Sequence, residues 1–217
     1  MSHHPTYIRP DAATPVIRVA VSARHVHLSS RTIDVLFGPD HHLHVRNPIQ
    51  QPDQYASQEC VTLVGPKGRL DNVRVVGPAR DQDQVELART DAAHLGLDPP
   101  LRESGHLQDT PGITLIGPLG SLTIHGGVIR ALRHLHSSTA DAVVLGLKDG
   151  DDVDITLHDG ERTVKFDHVR VRVSPFYRLE LHLDTDEAEA AGLAPHGTVQ
   201  LPADIALRPR PFWPQTR

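Results

Sequence analysis

Two His-x-His motifs, His25 with His27 and His134 with His136, are the residues of this sequence best suited to chemistry. In an extended strand the side chains at positions i and i+2 point to the same face, so each pair can chelate one metal ion. Imidazole suits zinc, and a catalytic zinc keeps an open position beside about three protein ligands. Two such motifs in one chain therefore predict two metal sites.

Strand-like segments later in the chain offer a third ligand for each pair. His182 lies in the alternating run Leu179–Leu183 and can complete the second site. Glu86, between Val85 and Leu87, has the corresponding place in the first half. A carboxylate there can complete a mixed site of two histidines and one acidic residue. The alternative interpretation of both residues is an ordinary strand side chain that faces solvent.

Two further residues could bind a substrate that carries phosphate groups. Arg80 follows the turn Gly77–Ala79, where a guanidinium group could bind a phosphate or a carboxylate through paired hydrogen bonds. Ser104, next to Gly105 and near Arg102, could bind phosphate through its hydroxyl and backbone groups. The sequence contains no pattern typical of a Ser-His-Asp triad, a Walker loop or a dinucleotide fingerprint.

Short strands rich in branched residues dominate the sequence and must position these side chains. Gly-Pro or Asp-Gly turns separate many of them, which indicates barrels or sandwiches instead of a parallel sheet covered by helices. The predicted strands cover residues 16–21, 61–64, 73–76, 113–116, 153–157 and 169–173. The predicted short helices cover residues 30–37, 90–95, 139–145 and 186–191. Ser29 or Ser30 and Ser138 are the predicted N-caps of the first and third helices.

The two halves of the chain repeat the same order of motifs. The segment RHVHLS at 24–29 returns as RHLHSS at 133–138, and DNVRV at 71–75 returns as DHVRV at 167–171. We therefore predict a mainly β protein with two related small β-barrel domains, capped by short α-helices. Exchange of strands between the barrels stays open. The predicted parts are a tail at 1–15, a first half at 16–110, a second half at 111–207 and a tail at 208–217.

Composition excludes several classes of protein. No run of the 217 residues is long and apolar enough to span a membrane as a helix. The net charge of -5 and the few aromatic residues argue against binding to nucleic acid. The single cysteine excludes an internal disulfide. The polar start of the chain does not resemble a secretory signal, so a cytoplasmic location is expected.

Histidine is frequent, with 16 residues, but its count alone does not indicate metal binding. Lysine occurs at only three positions, Lys67, Lys148 and Lys165, so arginine and histidine replace it at the surface. His41, His42 and His44 lie in a polar segment and are expected to face solvent.

Together these motifs resemble those of the PduL-type phosphate propanoyltransferases, a family of phosphotransacylases. The resemblance covers about residues 17 to 193, in order and without large gaps. Besides the two repeated segments it rests on VTLVGPKG at 61–68, NVRVVGPAR at 72–80, QVE at 84–86, RTD at 89–91, Ser104–Gly105, PGIT at 111–114 and HLDTDE at 182–187. It implies two β-barrels capped by short helices.

The resemblance also implies the roles of the candidate site residues. It implies two zinc ions per chain, one held by His25, His27 and Glu86 and the other by His134, His136 and His182. Arg80 would face the phosphate as a catalytic residue, and Ser104 would lie near bound CoA.

The implied reaction converts a short-chain acyl-CoA, propanoyl-CoA or acetyl-CoA, and phosphate reversibly to acyl phosphate and CoA. No nucleophile with an adjacent base is evident, which favours direct attack by phosphate. One alternative is another zinc-dependent hydrolase with the same ligands, which needs no CoA site. The other is a non-catalytic protein associated with a bacterial microcompartment.

Family members in microcompartments, such as those of propanediol degradation, usually carry an N-terminal amphipathic extension. Pro5, Pro10 and Pro15 argue against such a helix here, so a free cytoplasmic enzyme is expected and the microcompartment lumen is the alternative. The expected partners are acyl-CoA and phosphate, without nucleic acid or membrane. Assembly into a homo-oligomer stays open.

Overall fold

The structure, a computed structural model, describes residues 16–159, 161–194 and 197–208. Within these ranges the protein is mainly β with a few short helices, which confirms the predicted fold class. The strands are β1 (Val16–Ser22), β2 (His25–His27), β3 (Val45–Pro48), β4 (Tyr55–Val64), β5 (Arg69–Gly77), β6 (Gln84–Glu86), β7 (Leu101–Arg102), β8 (Ile113–Ile116), β9 (Ser121–Ile124), β10 (Val128–Ala131), β11 (His134–Ser137), β12 (Asp152–His158), β13 (Thr163–Val173), β14 (Glu180–Asp184) and β15 (Gly197–Leu207). The helices are α1 (Ser30–Phe37), α2 (Arg89–Leu95), α3 (Thr139–Leu145) and α4 (Thr185–Ala190).

One compact unit contains a closed six-stranded barrel. Its described residues are 16–21, 133–159, 161–183, 191–194 and 197–208. The strands follow the order β1, β14, β11, β13, β12 and β15, and β15 pairs with β1 in antiparallel register to close the ring. Alternate side chains fill the interior, so that Ile17, Val19, Leu135, Ile155 and Leu181 are fully buried.

The other compact unit contains a nine-stranded sheet and comprises residues 22–132 and 184–190. Its strand order is β7, β10, β6, β2, β5, β4, β8 and β9, and β3 pairs with β4. Helices α1 and α2 cover the apolar face, so that Leu36 and Leu95 pack into one buried cluster with Val26, Leu63 and Val85.

The chain passes between the two units more than once. Strands β8, β9 and β10 follow residue 110, yet they lie in the unit of the first His-x-His motif because β8 pairs with β4. Strand β1 begins the described chain, yet its residues Val16–Val21 lie in the barrel between β14 and β15. A contiguous division at residue 110 therefore does not describe the compact units.

A serine N-cap begins a helix directly after each of the two strands that carry the histidine motifs. The Ser29 hydroxyl accepts a hydrogen bond from the Thr32 N–H at 3.3 Å, and α1 has the predicted bounds. The Ser138 hydroxyl accepts from the Asp141 N–H at 3.0 Å, and α3 also has the predicted bounds. These caps supply partners for helix N–H groups that would otherwise be unsatisfied. Among the described residues no helix is long and apolar enough to cross a membrane.

Candidate functional site

The first triad, His25, His27 and Glu86, is assembled by the pairing of β2 with β6. Val26 between the two histidines is fully buried in the core, so alternation directs both imidazoles to the opposite face. The antiparallel register places Glu86 directly across from His25. Its carboxylate oxygens lie 3.6 Å from His25 Nε2 and 3.9 Å from His27 Nε2.

Backbone carbonyls orient both imidazole rings of the first triad. Nδ1 of His25 lies 2.8 Å from the Ala23 carbonyl oxygen, and Nδ1 of His27 lies 3.1 Å from that of Val76. Because a carbonyl oxygen can only accept, Nδ1 carries the proton and the Nε2 lone pair faces Glu86. Burial, followed by electrostatic repulsion from His25 and Arg80 toward a protonated imidazole, lowers the pKa of His27 to about 2. His27 is therefore neutral at physiological pH, as a metal ligand must be.

Gln84 joins the first triad to the two predicted substrate-binding residues. Its buried amide nitrogen donates to Glu86 Oε1 at 2.6 Å and to the Ser104 hydroxyl at 2.8 Å. Its amide oxygen accepts from the Gly105 N–H at 2.8 Å. Arg80 Nη1 donates to the same Ser104 hydroxyl at 3.3 Å. One network thus holds the carboxylate ligand, the arginine and the Ser104–Gly105 turn together.

The second triad, His134, His136 and His182, is built in the same way on β11 and β14. Leu135 is fully buried, so His134 and His136 project from the other face of the strand. The antiparallel register places His182 across from His134. The three ring centroids lie between 4.6 and 4.8 Å apart.

His136 is the most enclosed member of the second triad. Neither of its buried ring nitrogens has a hydrogen-bond partner among the described residues, and Tyr177 stacks on the ring at a centroid distance of 4.2 Å. Burial, together with the nearby His134, His182 and Arg172, holds the pKa of His136 far below its usual value. A buried imidazole nitrogen without a hydrogen-bond partner lowers the stability of the folded state, and a ligand bound to that nitrogen would remove this cost.

Both triads fit a bound transition-metal ion. In each group the three ligand atoms lie within 4.8 Å of one another. The unsatisfied nitrogens of His136 and the inward-facing Nε2 atoms of His25 and His27 are the donors that zinc prefers. Each group supplies three protein ligands and so leaves coordination positions for water or substrate.

Every predicted site residue lies in one of two clusters, one in each compact unit. His25, His27 and Glu86 lie together with Arg80 and Ser104, and the other three histidines form their own group.

Three residues near the triads were not predicted to have a role: Gln84, Glu180 and Tyr177. Glu180 lies across from His136 in the register, and its Oε2 lies 3.0 Å from His182 Nε2. Gln84 and Glu180 could have been found from the sequence, because each is a polar residue two positions before the third ligand of its triad. No sequence signal indicated Tyr177.

Fold and site together define a mainly β protein with two histidine-rich groups of metal-ligand side chains. Comparison with known proteins gives the family. The family model described as phosphate propanoyltransferase matches residues 18–194. The chain belongs to this family and is an acyltransferase.

Several curated relatives carry the name phosphate propanoyltransferase. The protein of Escherichia fergusonii is 51% identical over 176 residues, which is 81% of this chain and 83% of the relative. That of Thermotoga maritima is 51% identical over 82% of this chain and 85% of its own length. That of Salmonella typhimurium is 48% identical over 85% of this chain and 88% of its own length.

Proposed function

We propose that this chain is a zinc-dependent phosphotransacylase that converts a short-chain acyl-CoA and phosphate reversibly to acyl phosphate and CoA. Propanoyl-CoA is the first candidate substrate, because the curated relatives are named for propanoyl transfer, and acetyl-CoA is the second. The observation that carries the proposal is the hydrogen-bonded network that joins Glu86 of the first triad to Arg80 and Ser104 through Gln84.

Arg80 is the residue that we assign to the phosphate. Its backbone N–H donates to the Leu28 carbonyl at 2.9 Å, which ties the arginine to the end of the strand that carries His25 and His27. Its guanidinium donates to the Ser104 hydroxyl and lowers the pKa of His27 by its charge, so it lies beside the triad. A planar guanidinium can bind two phosphate oxygens at once and offset the repulsion between two anionic substrates.

Ser104 is the residue that we assign to CoA. Its hydroxyl accepts from both Gln84 and Arg80, and the following Gly105 is held through its N–H. The turn is therefore fixed before substrate arrives, so binding of CoA does not carry the entropy cost of ordering the turn.

The two triads would each hold one Zn²⁺, and a bound zinc supplies Lewis acidity that polarises an oxygen and screens negative charge. The transfer itself needs no covalent enzyme intermediate. A phosphate oxygen attacks the thioester carbonyl carbon, the C–S bond breaks, and the thiolate of CoA takes the proton that phosphate gives up. Arg80 holds the attacking phosphate in place, so positioning contributes to the rate.

The test is the release of CoA from propanoyl-CoA, with and without phosphate, by zinc-loaded and by chelator-treated protein. We expect release that requires phosphate, is lost on chelation and returns with zinc. Arg80→Ala should lower phosphate-dependent release by roughly 100-fold, as for the loss of one transition-state donor. Arg31→Ala, an exposed arginine on α1, is the matched control and should leave the rate unchanged.

Other outcomes would favour the alternatives. Release that ignores phosphate would favour a zinc-dependent hydrolase, and no release from any short acyl-CoA would favour a non-catalytic role. Trapping of a covalent acyl-enzyme would contradict direct attack by phosphate. We further propose a cytoplasmic location and leave microcompartment association as the alternative, which fractionation of cells that express the full chain would distinguish.

A further inference from the structure

A third group of metal-ligand side chains lies outside both triads, in the unit that contains the first one. His41 and His44 lie in the segment between α1 and β3, and Glu59 lies on β4. The sequence predicted that His41 and His44 face solvent. That prediction is wrong for His41, whose side chain is 24% exposed, because the segment folds back over the Glu59 carboxylate, which is 7% exposed.

The imidazoles of His41 and His44 converge on one carboxylate oxygen of Glu59. His41 Nε2 lies 3.0 Å from Glu59 Oε1, and His44 Nδ1 lies 2.8 Å from the same oxygen. The backbone N–H of His44 donates to both carboxylate oxygens, at 3.2 and 3.1 Å. The ring of His41 stacks on Phe37 with centroids 5.2 Å apart. Backbone and aromatic contacts therefore fix the carboxylate and one imidazole independently of any ligand.

We propose that His41, His44 and Glu59 bind a divalent late first-row transition ion such as Zn²⁺ at a third site. The three ligand atoms lie within 4.8 Å of one another, as they do in each triad. Two imidazoles and one carboxylate match the donor set of the first triad, and such sets suit zinc and its neighbours in the series. His44 is 64% exposed, which leaves room for water ligands and a path for the ion.

The third site would have a structural effect, because its ligands come from separate parts of the chain. A bound ion would connect the segment after α1 to β4 and so fasten the loop to the sheet. Binding of an ion only to the folded state stabilises that state by mass action. This inference does not depend on the proposed function, since none of the three residues takes part in the Gln84 network.

The test counts zinc in the full-length chain after metal removal, reloading and dialysis. We expect His44→Ala to hold one equivalent less than the unmodified chain, and Glu59→Gln to show the same loss. His42→Ala is the matched control, because His42 is an exposed neighbour outside the group and should keep the full count. His44→Ala truncates an exposed side chain, so the variant should fold even if Glu59→Gln does not.

The test compares the zinc count of the unmodified chain with that of each variant, so its result is independent of how many ions the triads hold. If the triads bound no zinc, the unmodified chain would hold one equivalent and His44→Ala none, which would still support the third site. Equal counts in the unmodified chain and in His44→Ala would overturn it. Loss of the third equivalent from the unmodified chain during dialysis would also overturn it, because it would mark only weak association with surface histidines.

Discussion

The two triads share one strand register but differ in where they place a carboxylate. In each, the first histidine lies across from the third ligand on an antiparallel strand, Glu86 or His182. In each, the same histidine lies across from an arginine on a parallel strand, Arg74 or Arg170. The backbone therefore repeats even where the side chains do not.

The side chain across from the second histidine marks the difference. In the first triad it is the neutral Gln84, and the carboxylate, Glu86, belongs to the triad itself. In the second triad it is Glu180, and the third ligand is the imidazole of His182. In the second triad the carboxylate therefore lies two residues earlier on the strand, and an imidazole occupies the position of the third ligand. The donor set is then made only of imidazoles, whereas that of the first triad is mixed. One backbone template can thus give two metal ions different charge environments.

The loops that return to the histidine strands differ as well. Arg80 N–H donates to the Leu28 carbonyl at 2.9 Å, and Ser174 N–H donates to the Ser137 carbonyl at 3.2 Å. Both carbonyls belong to the residue directly after a His-x-His motif. The same backbone contact therefore presents a guanidinium group in one unit and a hydroxyl in the other.

The largest expected effect comes from removing one ligand of either triad. His25→Ala and His134→Ala should each lose one zinc equivalent and lower phosphate-dependent CoA release by at least about 100-fold, since a metal supplies several kcal/mol of transition-state stabilisation. His125→Ala, an exposed histidine outside the three groups, should change neither quantity. Full activity in one of the two ligand variants would show that only the other triad supports the reaction.

The next largest effect, on zinc affinity, is expected for substitution of Gln84 and Glu180, which lie across from the second histidine of each motif. Gln84→Met removes the hydrogen bond to Glu86, and Glu180→Gln removes the negative charge beside His182, while both substitutions keep side-chain volume. Each should weaken zinc binding at its own triad by about 10- to 100-fold, as is usual for groups that orient metal ligands. Competition with a chelator would measure both affinities, and equal weakening of both sites by one variant would contradict the assignment.

A smaller effect concerns the stability of the closed barrel against acid. Burial would raise the pKa of Asp154, but hydrogen bonds from Arg208 and Lys165 outweigh burial and place the pKa below its usual value. The carboxylate therefore stabilises the fold above about pH 4, and this contribution is lost as pH falls through the folded-state pKa. Because Lys165 is 54% exposed, we expect Asp154→Asn to cost only about 1 kcal/mol at pH 7.

Thermal unfolding at several pH values checks this expectation. The difference between Asp154→Asn and the unmodified chain should shrink toward pH 3. A difference that stays constant with pH would mean that packing, and not charge, explains the variant.

The smallest effect is expected for the aromatic ring that covers only the second triad. Tyr177→Leu removes the stacking on His136 and should weaken zinc binding there by roughly threefold, in line with about 0.5–1 kcal/mol for an aromatic pair. The same titration by chelator competition should show no change at the first triad. An equal change at both triads would show that Tyr177 acts through general stability.

Much of the site was predictable because it follows from strand alternation. Two histidines at i and i+2 share a face in any strand, and the polar residues Glu86 and His182 stand out in apolar runs. Capping chemistry likewise located α1 and α3, since serine before an amphipathic segment is a strong local signal.

The rest depended on contacts that are distant in sequence. The pairing of β8 with β4 and of β1 with β15 decides which unit each strand joins, and neither pairing has a local signature. The role of Gln84 depends on Ser104, which comes from a loop 20 residues away. His41 was expected to face solvent because nothing nearby in the sequence indicates that Glu59 lies against it.

The position of β1 in the ring has a consequence for synthesis on the ribosome. β1 emerges before every other described strand, but its barrel neighbours β14 and β15 are the last strands to be made. Nearly the whole unit that contains the first triad is therefore complete while β1 still lacks partners. An unpaired apolar strand can associate with other chains, so chaperone binding to the nascent chain is most useful during this interval.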